Sequence, residues 1–231
     1  MIDWHSHILP GIDDGSRDVS ESLAMLRILR DQGVDTVIST SHFYADDQSV
    51  DTFLEKRNKA FEMLRMQLPK DSPKIVMGAE VLYYEGISRL SDLKKLCIEG
   101  TKLLLLEMPA SRWTEYTVRE LVELSTLKRI TVVLAHVERY MRFQSADTMR
   151  RLYSCGILMQ VNASFLSELS SRNKAIRLLR NGEIHFIGSD CHNLTSRPPK
   201  IGRSFEYVEK RLGHEFLVNL NDFGESFFVS K

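Results

Sequence analysis

The chain has 231 residues, a length typical of one α/β barrel, and we expect a single domain over residues 1–231. Its 31 basic and 31 acidic side chains balance, so overall charge gives no support to a protein that binds nucleic acid or anionic membranes. Apolar runs such as Leu103 to Leu106 are far shorter than the roughly 20 residues of a membrane-spanning helix, and three cysteines without a disulfide framework suit reduced thiols, so we expect a cytoplasmic protein.

The first predicted element is a strand from Met1 to His7, which leads into a loop at Pro10-Gly11. Side chains alternate along a strand, so His5 and His7 should point to the same side, where two imidazoles suit one metal ion. Such a pair is weak evidence on its own, because histidines at this spacing also occur in ordinary protein cores. A metal site therefore requires further ligands from later elements.

The rest of the first half alternates amphipathic helices with short apolar strands. Leucines recur at helical spacing after Asp18 or Ser20, either of which can cap a helix, and Gly33 follows the last turn. The pattern predicts helices over 18–32 and 49–67, and strands over 34–40, 74–78 and 102–106. Residues 81–99 are predicted to form an aromatic turn followed by a short helix.

The second half repeats this order more regularly. The pattern predicts helices over 114–128, 145–155 and 172–181, one or two closing helices over 202–219, and strands over 130–135, 157–161 and 184–188. Apolar strands that alternate with helices favour a parallel sheet that is covered on both faces. Seven such units in this length favour a closed or nearly closed α/β barrel over an open sheet.

Polar side chains occur where the predicted strands end. In α/β proteins the carboxyl ends of parallel strands lie on one side of the sheet, where active sites form. A single histidine there is more often an ordinary buried residue, but a whole set at strand ends favours a metal site. The residues at these ends are His5, His7, His42, Glu80, Glu107, His136, Asn162, Asp190 and His192.

These residue types indicate the kind of metal and the chemistry. Nitrogen and oxygen ligands without organised thiolates favour Mn, Fe or Zn, and their number exceeds what one tetrahedral ion can use, so two or three ions are expected. A water molecule bridging such ions is acidic enough to supply hydroxide near neutral pH, which favours hydrolysis. Arg139 and Arg197 follow two of the strand ends and suit a phosphate, so hydrolysis of a phosphate ester is the leading prediction.

Several motifs together resemble the PHP (polymerase and histidinol phosphatase) superfamily. Within it they look most like the CpsB/YwqE-type bacterial tyrosine phosphatases of capsule and exopolysaccharide operons. The resemblance runs in order from residue 1 to about residue 200. Its motifs are residues 3–15 (DWHSHILPGIDDG), 39–42 (STSH), 78–80 (GAE), 135–140 (AHVERY), 160–162 (QVN), 188–193 (GSDCHN) and 197–199 (RPP).

The resemblance implies a distorted (β/α)7 TIM-like barrel with three metal ions, often manganese, at the carboxyl ends of its strands; Fe, Zn, Co or Mg are the other candidates. The implied ligand sets are His5, His7, Glu80 and Asp190 for one ion, Glu80, Glu107 and His136 for a second, and Asp14, His42 and His192 for a third.

The resemblance leaves open whether Asp13 or Asp14 is the ligand. Arg139 and Arg197 would hold the phosphate while a metal-activated hydroxide attacks phosphorus and tyrosinate leaves. The implied partner is the tyrosine-phosphorylated tail of a bacterial autokinase, and this substrate would be the protein's one link to the membrane.

Cys191 and Arg197 form a Cys-x5-Arg spacing, which is also found in thiol-based tyrosine phosphatases. In those enzymes a glycine-rich loop surrounds the phosphate with backbone N–H groups, whereas residues 192–196 contain no glycine. Cys191 also lies between two proposed ligands and should point away from them on a strand. We therefore interpret the spacing as coincidental.

The sequence leaves four other functions to be weighed against this one. A histidinol-phosphate phosphatase would share most of these ligands, so the choice depends mainly on Glu107, the HVERY motif and the RPP motif. A nuclease-like phosphoesterase has no support from the net charge, and an amidohydrolase with a carbamylated lysine would need a lysine where Glu107 stands. A non-catalytic barrel that binds phosphotyrosine or metal is the alternative outside the enzymes.

The aromatic residues Tyr83, Tyr84, Trp113 and Tyr140 could line the mouth of the site or serve in packing.

Overall fold

The computed structural model describes residues 1–127 and 130–228, in which nine strands alternate with eight α-helices. The strands are β1 (Ile2–Ser6), β2 (Thr36–Ser39), β3 (His42–Phe43), β4 (Lys74–Met77), β5 (Glu80–Leu82), β6 (Leu103–Glu107), β7 (Thr131–Leu134), β8 (Leu158–Asn162) and β9 (Phe186–Gly188). The helices are α1 (Val19–Asp31), α2 (Val50–Arg65), α3 (Glu115–Leu127), α4 (Ala146–Ser154), α5 (Ala163–Ser167), α6 (Arg172–Arg180), α7 (Gly202–Leu212) and α8 (His214–Glu225).

All strand pairs are parallel, and they form a curled sheet in two parts. The smaller part has the order β1-β2-β4 and the larger part β3-β5-β6-β7-β8-β9. Beyond β9 the chain returns to β1, because the Asp190 amide donates to the His5 carbonyl over 2.8 Å and the His7 amide donates to the Cys191 carbonyl over 2.9 Å. The predicted α/β class with a parallel sheet is confirmed.

The sheet divides where two predicted strands are interrupted. The strands predicted over 34–40 and 74–78 are present as β2 and β4, but after a short break each is followed by a further strand, β3 or β5, that was not predicted. β2 pairs with β4, while β3 pairs with β5 in the larger part of the sheet. His42 and Glu80 therefore lie opposite each other on paired strands rather than in loops.

The helix termini follow the sequence signals closely. Asp18, and not Ser20, caps α1, where its side chain accepts from the Glu21 amide over 2.9 Å. Ser49 and Ser145 cap α2 and α4 in the same way. Lys128, the last residue of one predicted helix, lies outside the described residues. The predicted short helix within residues 81–99 is instead two 3-10 helices, Ile87–Arg89 and Leu93–Leu96.

The inner face of the curled sheet has its own apolar core. Alternate residues of β6, Leu103 and Leu105, contribute to it together with Trp4 from β1 and Phe186 from β9. The C-terminal segment packs against this core, and α8 continues to Glu225, beyond the predicted end at residue 219.

Helix α8 approaches the sheet closely at Gly224. A Cβ atom at this position would lie only 2.4 Å from the Trp4 ring, so glycine permits the contact. None of the helices in the described ranges is both long and apolar enough to cross a membrane.

Candidate metal centre

His5 and His7 lie at the end of β1 with their rings turned toward each other. Their Nε2 atoms are 3.1 Å apart, and Glu80 Oε2 lies 3.0 Å from the first and 3.2 Å from the second. Asp190 Oδ1 lies 3.5 Å and 3.6 Å from the same two nitrogens. Atoms that bind one ion at about 2.1 Å are separated by about 3 Å, so this spacing suits a shared ion.

Glu80 is the centre of the wider cluster. Its Oε1 lies 2.8 Å from His136 Nε2, and its Oε2 lies 3.3 Å from His42 Nδ1. The contact with His42 follows from the fold, because His42 and Glu80 are register partners on β3 and β5. Glu107, at the end of β6, lies 3.4 Å from His136 Nε2. Four strands therefore deliver these polar groups to one place.

The two adjacent aspartates of the first loop have different surroundings. Asp14 Oδ1 lies 3.5 Å from His42 Nε2 and 3.4 Å from His192 Nε2. Asp13 instead accepts from His7 Nδ1 and from the His42 amide, each over 2.9 Å. Asp14 therefore faces two imidazoles that could share an ion with it, whereas Asp13 orients His7.

Unpartnered polar atoms provide a test of whether these residues fit metal ions. Within residues 1–127 and 130–228, the cluster atoms His42 Nδ1, His192 Nε2 and Asp190 Oδ1 are buried and have no hydrogen-bond partner. A buried polar atom without a partner is costly, and coordination of a cation would remove that cost. Histidine and carboxylate atoms form three groups close enough to hold ions: His7, Asp14, His42 and His192; His5, His7 and Asp190; and His42, Glu80 and Glu107.

The ionisation of the site also favours a bound cation. Burial opposes ionisation of Asp190, but His5 and His7 hold its pKa well below its ordinary value. Burial lowers the pKa of His192 to about 4 and lowers the pKa values of His42 and His136. These three imidazoles therefore stay neutral near pH 7 and keep a lone pair available for a metal.

Arg139 and Arg197 converge on one oxygen of Asp190. Their Nη2 atoms lie 2.6 Å and 2.8 Å from Asp190 Oδ2, which also accepts from Asn162 Nδ2 over 2.7 Å. Asp190 thus presents Oδ2 to the two arginines and Oδ1 to the histidine pair. Both guanidinium groups are partly exposed, so they border the cluster and remain accessible to a ligand.

A family model for capsular polysaccharide synthesis, CpsB/CapC, matches residues 1–222. The chain belongs to the CpsB/CapC family. The tyrosine-protein phosphatase CpsB of Streptococcus pneumoniae is 30% identical over 92% of this chain and 91% of its own length. The tyrosine-protein phosphatase YwqE of Bacillus subtilis is 28% identical over 97% of this chain and 90% of its own length.

The fold comparison agrees with this membership. One solved structure superposes on this chain with a TM-score of 0.84. Its description names YwqE from Bacillus subtilis and CpsB from Streptococcus pneumoniae as unique metal-dependent tyrosine phosphatases. The structure is 27% identical to this chain and covers 99% of it and 94% of its own chain. The predicted resemblance to the CpsB/YwqE type is confirmed.

Gln160, which lies in the QVN motif of this CpsB/CapC chain, contacts the site although the sequence analysis gave it no role. His5 Nδ1 donates to Gln160 Oε1 over 3.2 Å, and the His136 amide donates to the same oxygen over 2.6 Å. The first contact fixes the His5 tautomer so that Nε2 stays free for a metal. Gln160 lies two residues before Asn162 on β8, and the alternation of side chains could have identified it.

Cys191 and three of the four aromatic residues singled out in the sequence are buried and serve in packing. Cys191 is fully buried in the apolar core, and burial raises the pKa of its thiol, which disfavours a nucleophilic thiolate. Tyr83, Trp113 and Tyr140 are also buried, and their polar atoms bond to Glu120, Pro109 and Ala135. In contrast, Tyr44 stacks on His42 with ring centroids 5.2 Å apart, a neighbour the sequence analysis did not consider.

Proposed function

We propose that this protein is a metal-dependent protein-tyrosine phosphatase, which hydrolyses the phosphate monoester of phosphotyrosine. The observation that carries the proposal is one dense cluster of imidazoles and carboxylates that is bordered by two convergent arginines. Both curated relatives described above are named as tyrosine-protein phosphatases, over nearly the whole of this chain. Residues 1–231 are proposed to form one domain, a (β/α)7 barrel with the cluster at the carboxyl ends of its strands.

The proposed ligands are the nine residues His5, His7, Asp14, His42, Glu80, Glu107, His136, Asp190 and His192. They hold two or three divalent ions, with manganese as the leading candidate and Fe, Zn, Co or Mg as alternatives. The three groupings of close ligand atoms support more than one ion. They also support Asp14 over Asp13, because Asp14 is the aspartate of the first loop that appears in a grouping.

Arg139 and Arg197 bind the phosphate in this proposal. A bound divalent ion supplies Lewis-acid stabilisation of the phosphate oxygens and lowers the pKa of water. Asp190 holds both guanidinium groups in place through Oδ2, so little side-chain ordering is needed when the phosphate arrives. Guanidinium groups match phosphate oxygens in geometry and charge, which orients the ester for in-line displacement.

The biological substrate is proposed to be a tyrosine-phosphorylated protein of capsular polysaccharide synthesis, the process in the family's description. The tail of a bacterial autokinase is the specific partner that the sequence resemblance implies. A histidinol-phosphate phosphatase would use a similar cluster, so the two functions must be separated by their substrates.

The deciding experiment compares phosphotyrosyl peptide, phosphoseryl peptide and histidinol phosphate as substrates, with and without chelator, alongside elemental analysis of the purified protein. We expect chelator-sensitive turnover of the phosphotyrosyl peptide above the other two. His5→Ala should lose at least about 100-fold in kcat/KM, as expected for loss of a metal ligand. Cys191→Ser should keep near wild-type activity, although burying a hydroxyl costs about 1–3 kcal/mol of stability. Turnover of histidinol phosphate alone, or a Cys191→Ser variant as inactive as His5→Ala, would overturn the proposal.

A further inference from the structure

A large cleft opens directly beside the two convergent arginines. It has a volume of about 1230 Å³, and Arg139, Asp190 and Arg197 line one end of it. Pockets for small molecules usually enclose about 300–1,000 Å³. The space is therefore larger than a free phosphate ester needs and suits an extended ligand such as a peptide.

Two segments of the chain contribute to the lining of the cleft beyond these arginines. Ser164 and Glu168 lie in and just after α5, and Lys200 and Arg203 lie before and in α7. A ligand whose phosphate is held by Arg139 and Arg197 would extend along these two segments. The residues of the cleft can therefore contact what lies next to a phosphotyrosine.

Arg172, the first residue of α6, lines this cleft and is held in position by its neighbours. Its guanidinium carbon lies 5.0 Å from the centre of the Tyr207 ring, a cation–π distance. The Tyr207 hydroxyl in turn accepts from Arg211 over 2.8 Å and bonds to Asn173 over 3.3 Å. The Tyr207 ring therefore restrains Arg172, whereas Lys200 and Arg203 are exposed.

The guanidinium of Arg172 has no carboxylate partner. Its Nε is buried without a hydrogen bond, and no carboxylate lies within 4.0 Å of the guanidinium in the part of the chain that the structure describes. The cleft contains acidic side chains too, Glu168 and Glu206 among them, so a general positive potential does not explain ligand choice. The distinctive feature is one cation that packs on an aromatic ring and has no carboxylate partner, in the same cleft as the phosphate-binding arginines.

We propose that the cleft binds the peptide chain beside the phosphotyrosine and that Arg172 recognises a second oxyanion on that peptide. This inference rests on the proposed phosphatase function and specifies its substrate class. The oxyanion is the carboxylate of an acidic residue or the phosphate of a second phosphotyrosine, since a guanidinium binds both in the same way. Arg172 is thus a specificity residue that acts on binding and takes no part in phosphate hydrolysis.

The test measures binding to the metal-loaded full chain, independently of turnover. The probes are peptides with a non-hydrolysable phosphonate analogue of phosphotyrosine and neutral neighbours. In two further sets, one glutamate or a second phosphonate is moved through successive positions on either side. Kd is measured by calorimetry for the wild type, for Arg172→Gln and for Arg180→Gln, which removes an exposed cation from the other end of α6.

At the best position, the added anion should tighten wild-type binding by about tenfold, which corresponds to about 1.4 kcal/mol. This gain should vanish in Arg172→Gln, persist in Arg180→Gln and be partly retained in Arg172→Lys. The peptide set that shows the gain identifies the carboxylate or the phosphate as the ligand. Kd for the neutral peptide should be the same in Arg180→Gln as in the wild type, and the gain is calculated for each variant relative to its own neutral peptide.

Two results would overturn the inference: no gain from either anion in the wild type, or an equal gain in Arg172→Gln. Equal melting temperatures of the two glutamine variants would show that Arg172→Gln is folded. If the anion-dependent gain is present but no phosphotyrosyl peptide is hydrolysed, the phosphatase function is wrong while the oxyanion subsite stands. If hydrolysis occurs without the gain, the subsite is wrong and the phosphatase function stands.

Discussion

The candidate site depends on buried groups that would be unstable in isolation. Glu80 is almost completely buried, and although burial opposes its ionisation, His5 and His136 hold its pKa well below its ordinary value. The imidazoles around it divide into two kinds. His7 is held cationic by Asp13 and Glu80, whereas His42, His136 and His192 are held neutral by burial. A carboxylate surrounded by protonated and neutral imidazoles can bind metal ions as the protonated rings release their protons.

The contact between Gln160 and His5 predicts an indirect effect on metal binding. Gln160→Met removes the acceptor for His5 Nδ1–H, so the ring can rotate or change tautomer, and metal affinity should fall by about 10- to 100-fold. Gln160→Glu is the matched control, because it keeps an acceptor oxygen at the same place. Competition with a coloured chelator measures the affinity. Equal losses in both variants would show that packing, and not the acceptor, is responsible.

Sequence reasoning located most of these residues because strand ends of a parallel sheet converge. It could not distinguish Asp13 from Asp14, since both lie in one loop and only the course of the backbone decides which side chain meets His42 Nε2 and which meets His7 Nδ1. Gln160 was overlooked for a different reason. A glutamine has no distinctive metal chemistry of its own, and its importance comes from its two neighbours.

At the scale of elements, the interruption between β2 and β3 is the main feature that the sequence did not predict. Hydrophobic periodicity detects that a segment is extended, but it does not report a break of two residues within it. The break nevertheless aligns His42 with Glu80, because β3 and β5 pair in register. The helices were predicted more accurately, since capping by Asp18, Ser49 and Ser145 is a local interaction.

His185 lies just before β9 and packs against Phe223 of α8, away from the metal cluster. Its surroundings predict that the stability of the fold depends on pH. His185 Nδ1 accepts from the Met159 amide over 3.1 Å, and its ring packs beside Phe186 and Phe223. Burial lowers the pKa of His185 to about 4, below the value of about 6.5 expected when unfolded. The unfolded state therefore binds more protons between these values, so stability is full above pH 6.5 and is lost as the pH falls toward 4.

His185→Asn tests this effect, because an asparagine oxygen can replace Nδ1 as the acceptor but does not titrate. In chelator, the free energy of unfolding of the wild type should fall between pH 7 and pH 4.5 by on the order of 2 kcal/mol more than that of the variant. Urea unfolding at a series of pH values measures the difference. Parallel curves for the two proteins would show that His185 is not the titrating group.

For the whole molecule, the fold brings the first and last strands together at the candidate site. The loop after β9 bonds to the backbone at His5 in β1 and at His7 just after it, so His5 and Asp190, about 185 positions apart in sequence, supply adjacent ligand atoms. The α/β class could be predicted because it depends on the order of the elements. The extent to which the sheet curls could not be deduced from the sequence, because it depends on the twist and tilt of all the strands together.

This long-range assembly predicts that divalent ions stabilise the entire chain and do so more strongly at higher pH. Although burial disfavours its charged form, hydrogen bonds with Asp13 and Glu80 raise the pKa of His7 to about 10 in the metal-free protein. Protonation of His7 therefore stabilises the metal-free fold fully below pH 6.5, and this contribution is lost as the pH rises toward 10. A metal needs the neutral ring, so raising the pH weakens the proton's competition with the ion.

Differential scanning calorimetry should show these effects as shifts in melting temperature. An ion at 100 times its Kd stabilises a native state by about 2.7 kcal/mol, which corresponds to about 5–10 °C for a chain of this size. The shift caused by manganese should grow from pH 6 to pH 8 in the wild type. In His7→Gln it should be small at both pH values, whereas His214→Gln, which changes an exposed histidine paired with Glu209, should behave as the wild type does. A shift that is independent of pH in the wild type would mean that the ion does not displace the proton of His7 and that His7 is not a ligand.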